Sequence, residues 1–231
     1  MKPFPQLVTR VAAYAVATGA IYAVVYYDAR LRLVSEASWT EWTQQFLLLV
    51  MVLLAARTAR RYVALRAFVV LLGFVALISL VREFNNTLLA HTEHVLGRWA
   101  WKLLVGVCFV PAVLYFRTRL PRLRDDILTV ADSFAFGILI SGTLLLHVFS
   151  RLYGANEIWR LHMGDAFDRS VARISEESVE LVAYGLILGA VLQICARARR
   201  DSERGLGPSS RAEGAVPTRP DRRAPSTADA P

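Results

Sequence analysis

SEESVELVAYGLILGAVLQICA, residues 175–196, is the stretch that decides the fold. From Val179 to Ala196 its only charged residue is Glu180. At 1.5 Å per residue, a helical run of about 20 apolar residues crosses roughly 30 Å of hydrocarbon. A soluble bundle helix would alternate apolar and polar faces, and this run does not. Ahead of it stand Glu176 and Glu177, with Glu180 one turn deeper. Ser175 reads as an N-cap, with Glu176 and Glu177 in the first turn facing the positive end of the helix dipole. Glu180, a turn deeper and followed by an unbroken apolar run, fits that role less well and shares a helical face with Tyr184, as residues four apart do.

Comparable blocks recur along the chain, so the fold class is all-α, a polytopic membrane protein with six transmembrane helices. The expected spans are about 7–27, 41–56, 63–81, 101–116, 127–149 and 177–196, making residues 1–200 one six-helix transmembrane domain. Of 231 residues, 55% are hydrophobic, and the mean hydropathy is +0.39. The first block is longer than a signal-peptide core and lacks a small-residue cleavage site, so it reads as an uncleaved span. Pro111 falls inside the fourth block, where a kink is tolerated. Between Arg151 and Ser175, Ile158, Leu161, Met163, Phe167, Val171 and Ile174 recur at helical spacing, as in a helix lying in the interface. Residues 201–231 are rich in Pro, Ala, Ser, Gly and Arg, the composition of a disordered cytoplasmic tail.

The net charge of +8 does not mark a nucleic-acid binder, because the basic residues cluster at block ends without interleaved aromatics. Arg57, Arg60, Arg61 and Arg66 form one cluster, and Arg117, Arg119, Arg122 and Arg124 form another. With six spans, both fall on the same side as Lys2, Arg10 and Arg197–Arg200. Positive residues stay cytoplasmic, so both termini are expected inside (N-in/C-in), in a cell inner membrane. Partners expected on composition are the bilayer itself and anionic lipids at the cytoplasmic arginines, with self-association or a partner subunit left open. Cys108 and Cys195 lie inside apolar blocks and read as buried apolar residues rather than a disulfide or a thiolate metal site.

That topology carries most acids and all four histidines to the outer side. Glu41 and Gln45 open the second span on one face, Glu83 closes the third beside Arg82, and Glu180 begins the sixth. Charge inside hydrocarbon costs ~2.5–3.5 kcal/mol at a helix centre, so acids at one depth on three spans mark either snorkelling pairs or a polar site. The candidate ligand-binding set is therefore Glu41, Gln45, Glu83, Glu177, Glu180 and Tyr184. His91 and His94, with Glu93 between them, are the candidate zinc ligands, although no HExxH is present. Asp132 and Ser133 sit near the inner end of the fifth span, where Arg122 or Arg124 would pair with Asp132. Gly185 and Gly189 form a small-xxx-small pair suited to close helix packing. Phosphate loops and a nucleophile elbow are absent from the sequence.

Through Thr40-Glu41-x-x-Gln44, Arg82-Glu83-Phe84-Asn85 and Ser175-Glu176-Glu177-x-x-Glu180-Leu181, residues 7–196 resemble uncharacterised multi-pass inner-membrane proteins of proteobacteria. That resemblance implies the architecture and no activity. A weaker likeness is to membrane hydrolases of the alkaline ceramidase type, which hold zinc with helix-borne histidines beside a Ser and an Asp. Here six spans are expected rather than seven, and Asp132-Ser133 falls on the side opposite the histidines. Two functions fit these residues. One is a non-enzymatic membrane protein without a cofactor, whose outer acidic cluster binds a small ligand, ion or partner. The alternative is a metal-dependent membrane hydrolase using the outer-side histidines.

Overall fold

The computed structural model describes residues 4–31, 38–91 and 95–204, with side chains for 38–84, for most of 102–204 and for parts of residues 9–28. The described residues are helical throughout, joined by short turns. The long elements are α1 (Phe4–Leu31), α2 (Trp39–Arg61), α3 (Arg66–His91) and α4 (Val95–Phe116). After them come α5 (Leu120–Ala131), α6 (Phe134–Leu144), α7 (Ser150–Tyr153), α8 (Asn156–Met163) and α9 (Arg169–Glu203). Four helical stretches among the described residues are long and apolar enough to cross a membrane: Trp39–Arg61, Arg66–Phe84, Phe134–Tyr153 and Arg169–Glu203. Only 28–44% of each apolar window is buried inside the protein. Leu49, Leu53, Val75, Ile140 and Leu192 instead point outward, as lipid-facing side chains do.

α9 is the central element. It packs against α2 and α6 and also touches α1 and α3. Small residues permit this: Ala183, Ala190 and Ala198 are fully buried on α9. At Gly142 on α6 an added Cβ would lie 2.8 Å from Ile187 Cγ1 and 3.2 Å from the Ala183 carbonyl. Gly185, one of the pair singled out in the sequence, faces α1, where a Cβ would come within 2.9 Å of Ile21 Cδ1. Leu48, Met51, Phe68, Val69, Tyr184 and Ile194 fill the core between these helices.

Two ends of the bundle can be followed by contact. At one, Gln44 of α2 meets Glu177 of α9, and Asp28 of α1 meets the start of α2. At the other, the Ala64 N–H, just past α2, donates to the Ser202 hydroxyl of α9. The chain thus reverses from each long helix to the next, and α2 and α9 run parallel. α3 starts at Arg66 under a left-handed Leu65 (φ 54°), a conformation that costs a non-glycine residue of order 1–2 kcal/mol. Asp126 of α5 caps α3: its Oδ2 accepts the Ala67 N–H at 2.9 Å and the Phe68 N–H at 3.2 Å.

Three boundaries differ from the sequence reading. The span expected at 127–149 breaks at Asp132-Ser133 into amphipathic α5 and apolar α6, because the Ser133 hydroxyl caps α6 by accepting the Phe136 N–H. Asp132 ends α5, exposed, and pairs with neither Arg122 nor Arg124. α9 begins at Arg169 with Asp168 as its N-cap, so Ser175 lies in the helix interior and is not a cap. α9 also runs on to Glu203, past the expected tail boundary, with Arg197 paired to Asp201 and Arg199 to Glu203. The remainder of the expected tail, 205–231, lies outside the described residues.

Candidate functional site

α9 sets the depth of the acidic residues. Glu180 lies 11 residues after Arg169, about 16 Å along the axis. The dipole's influence fades within the first turn, and that turn holds no acid. Helix capping therefore does not account for Glu176, Glu177 or Glu180. Glu176 and Glu180 are held by Arg151 from α7, and Glu177 by Arg173 one turn back on α9.

Three arginines organise the cluster. Arg173 bridges two helices: its Nε donates to Glu177 Oε1 at 2.7 Å and its terminal nitrogen to Glu41 Oε1 at 3.1 Å. Arg82 holds Glu83 through Nε at 3.2 Å and a terminal nitrogen at 2.6 Å. The Tyr184 hydroxyl, buried in the core, donates to the same Glu83 oxygen at 3.3 Å. Arg151 binds Glu176 at 2.8 Å and reaches Glu180 only at 3.8 Å.

A five-residue π turn, Leu145–Phe149, precedes Arg151. Such a wide turn shifts the register of the residues beyond it. Ser150 becomes fully buried, and Arg151 is delivered to α9. Gly154 then passes so close to Glu176 that any side chain there would collide with the carboxylate.

The polar first turns of α2 turn inward. Thr40, Gln44 and Gln45 are buried, while Trp39, Trp42 and Phe46 face out. Gln44 Nε2 donates to the Glu177 carbonyl at 3.1 Å, tying α2 to α9. Asp28 accepts the Thr40 N–H at 2.7 Å and the Trp39 N–H at 3.2 Å, fixing the start of α2 against α1.

Glu41, Glu83, Glu177, Glu180 and Tyr184 thus come together at one end of the bundle, on α2, α3 and α9, and Gln45 is buried on α2 near Glu41. Glu41 and Glu177 share one arginine, and Glu83 and Tyr184 are bonded directly. Glu180 is the acid left with the weakest tie. It is 8% exposed, its one ion pair is long, and Glu83, Arg82 and Glu176 are the other charges that act on it. Arg151 and Arg173 were missed as site residues, although Arg173 and Glu177 are four apart, a spacing visible in the sequence. Asp28 carried no such signal.

The His91 side chain and the whole of His94 and Glu93 lie outside the described residues. Among the described residues, no group of three or more His, Cys, Asp or Glu is placed to hold a metal ion. His147 is exposed on the π turn, and the His162 ring contacts the Ile158 carbonyl. No family model, curated protein or solved structure matches the chain. The four helices long and apolar enough to cross a membrane suit a helical membrane protein, with a charged network at one end of the bundle.

Proposed function

We propose that this chain is a six-span protein of a bacterial inner membrane with both termini in the cytoplasm, and that its acid–arginine network faces outward and binds a small cationic ligand or ion. α1 (28 residues) and α4 (22 residues) supply the two spans beyond the four apolar ones, both exceeding the ~20 residues a crossing needs. Alternation of helix direction and the arginine clusters at the opposite end support the orientation. The observation that carries the function is the Glu180 carboxylate, buried and tied only at 3.8 Å while the acids around it are paired at 2.6–3.1 Å. Burying a carboxylate without close compensation is costly. A cation placed beside Glu180, with the Glu83 carboxylate nearby, relieves that cost.

The test is thermal unfolding of the purified full chain in sodium, potassium or methylammonium chloride, against bulky N-methylglucamine chloride at equal ionic strength. Wild-type protein is expected to gain stability with at least one cation, and Glu180→Gln to lose that response while still folding. A wild-type protein indifferent to every cation, or a Glu180→Gln response equal to wild type, refutes the reading.

A further inference from the structure

The opposite end of the bundle carries a second site, beyond the function just proposed. Arg66 at the start of α3 is 17 residues from Glu83, about 26 Å along the axis. There a cavity of about 270 Å³ lies between the end of α2, the start of α3, the end of α4 and the start of α5. Arg60, Arg66, Arg119 and Arg122 line it, with Tyr115 and the apolar wall of Val70. No carboxylate among the described residues lines it.

The contrast with the acidic end is in how the guanidiniums are held. There, each arginine is positioned by a carboxylate that also neutralises it. Here Arg66 and Arg119 are positioned by neutral groups. Arg66 Nε donates to the Tyr62 carbonyl at 3.2 Å. Arg119 donates to the Tyr115 carbonyl at 3.4 Å and lies over the Tyr115 ring, 4.1 Å from its centroid. Arg122 Nε is buried with no acceptor among the described residues. The nearby acid, Asp126, commits Oδ2 to the Ala67 and Phe68 N–H groups. None of the four arginines is within ion-pair distance of a carboxylate among the described residues. Four like charges meet at one cavity, two of them held by neutral groups, and Asp126 offsets Arg122 only from beyond ion-pair distance; that is an arrangement an anion stabilises.

We infer that this cavity binds a phosphate group. Guanidinium forks match phosphate oxygens bidentately, which a point charge does not. The volume falls below the roughly 300–1,000 Å³ of sites for drug-sized ligands, so it suits a headgroup-sized phosphate ester rather than a nucleotide. That chemistry is offered by an anionic phospholipid headgroup or by a free phosphate compound.

The full chain, purified in neutral detergent without phosphate, is heated with inorganic phosphate or with chloride at matched ionic strength. In a second arm it is reconstituted into phosphatidylcholine vesicles with or without phosphatidylglycerol. Saturating anion is expected to raise Tm by about 5 °C in at least one arm. Phosphate acting alone identifies a soluble ligand, and phosphatidylglycerol acting alone identifies a lipid headgroup. Arg122→Gln is expected to weaken the response at least about tenfold, and Arg122→Lys, which keeps charge without the fork, to weaken it less. If Arg122→Gln does not fold, Arg119→Gln on the exposed rim replaces it, with the same expectation. No rise in either arm, or a rise undiminished in these variants, overturns the inference.

Discussion

Replacing Arg173 by methionine tests whether the acid–arginine network holds α9 to α2. Arg173 makes charge-assisted bonds of 2.7 Å to Glu177, one turn on along α9, and of 3.1 Å to Glu41 on α2, 132 residues away in the chain. Hydrogen bonds to charged groups contribute ~1.5–3 kcal/mol each when sheltered. Arg173 keeps 34% of its side-chain exposure, and the acids keep 18% and 21%, so the lower part of that range applies. Methionine preserves the unbranched stem while leaving two carboxylates facing each other without a cation. The expected loss is about 2 kcal/mol, roughly a 4–8 °C fall in Tm for a chain of this length.

The assay is thermal unfolding of the full chain in neutral detergent, run as a mutant cycle with Glu41→Gln. Because both residues share one network, the effects should be non-additive by ~0.5–3 kcal/mol, with Glu41→Gln costing less once Arg173 is gone. Arg173→Lys should fall between wild type and Arg173→Met, since one ammonium cannot reproduce the forked contact. A Tm change under about 1 °C for Arg173→Met, or strict additivity with Glu41→Gln, would refute a structural role for the bridge.

Asp126 gives a pH prediction. Burial outweighs the stabilising Phe68 and Ala67 N–H bonds and pushes its carboxyl above the usual range. A carboxyl whose folded pKa is raised binds its proton more tightly in the native state, so its contribution is fully present below the unfolded value of ~3.9 and is lost as pH rises through the folded value. Asp126→Asn keeps an acceptor for both N–H groups and removes the titration. It should flatten that part of the stability profile, and an unchanged profile in acid-to-neutral unfolding scans would contradict the assignment. Packing gives a matched pair on α6. Gly142→Ala places a methyl 2.8 Å from Ile187 Cγ1 and should cost ~1–3 kcal/mol, whereas Gly137→Ala meets nothing within 4 Å and should be neutral or slightly stabilising by Tm.

Where the chain can cross a membrane was legible because hydropathy over about 20 residues is a local sum, and the runs Phe46–Ala56, Ala67–Val81 and Val179–Ala196 carry it without help. The set of polar residues was legible for a related reason: acid near hydrocarbon is expensive enough to stand out one residue at a time, as Glu180 does. Helix starts were less so. Ser175, followed by two acids and an apolar run, reads locally as an N-cap, yet Asp168 caps the helix, since its side chain accepts the Ser170 N–H and the segment between packs onto the bundle. The break before α6 was hidden in the same way, because Asp132-Ser133 inside an apolar block reads as polar residues in a span until Ser133 is seen capping Phe136.

By itself, then, the sequence determined that the protein is helical, that several helices are long and apolar enough for a bilayer, and that acids gather toward one end and arginines toward the other. Tertiary structure decided the partners. Arg173 could have served Glu177 alone, and its reach to Glu41 exists only because α2 runs parallel beside α9. Spacing alone does not tell the arginines at the far end from those at the near end, since Asp126 follows Arg122 by four just as Glu177 follows Arg173, yet only the latter pair closes. The far-end arginines are distinguished by a cavity that four helix ends border and that no carboxylate among the described residues lines. Hydrophobicity is a property of each residue and sums along the chain, whereas charge compensation depends on distances that only packing sets.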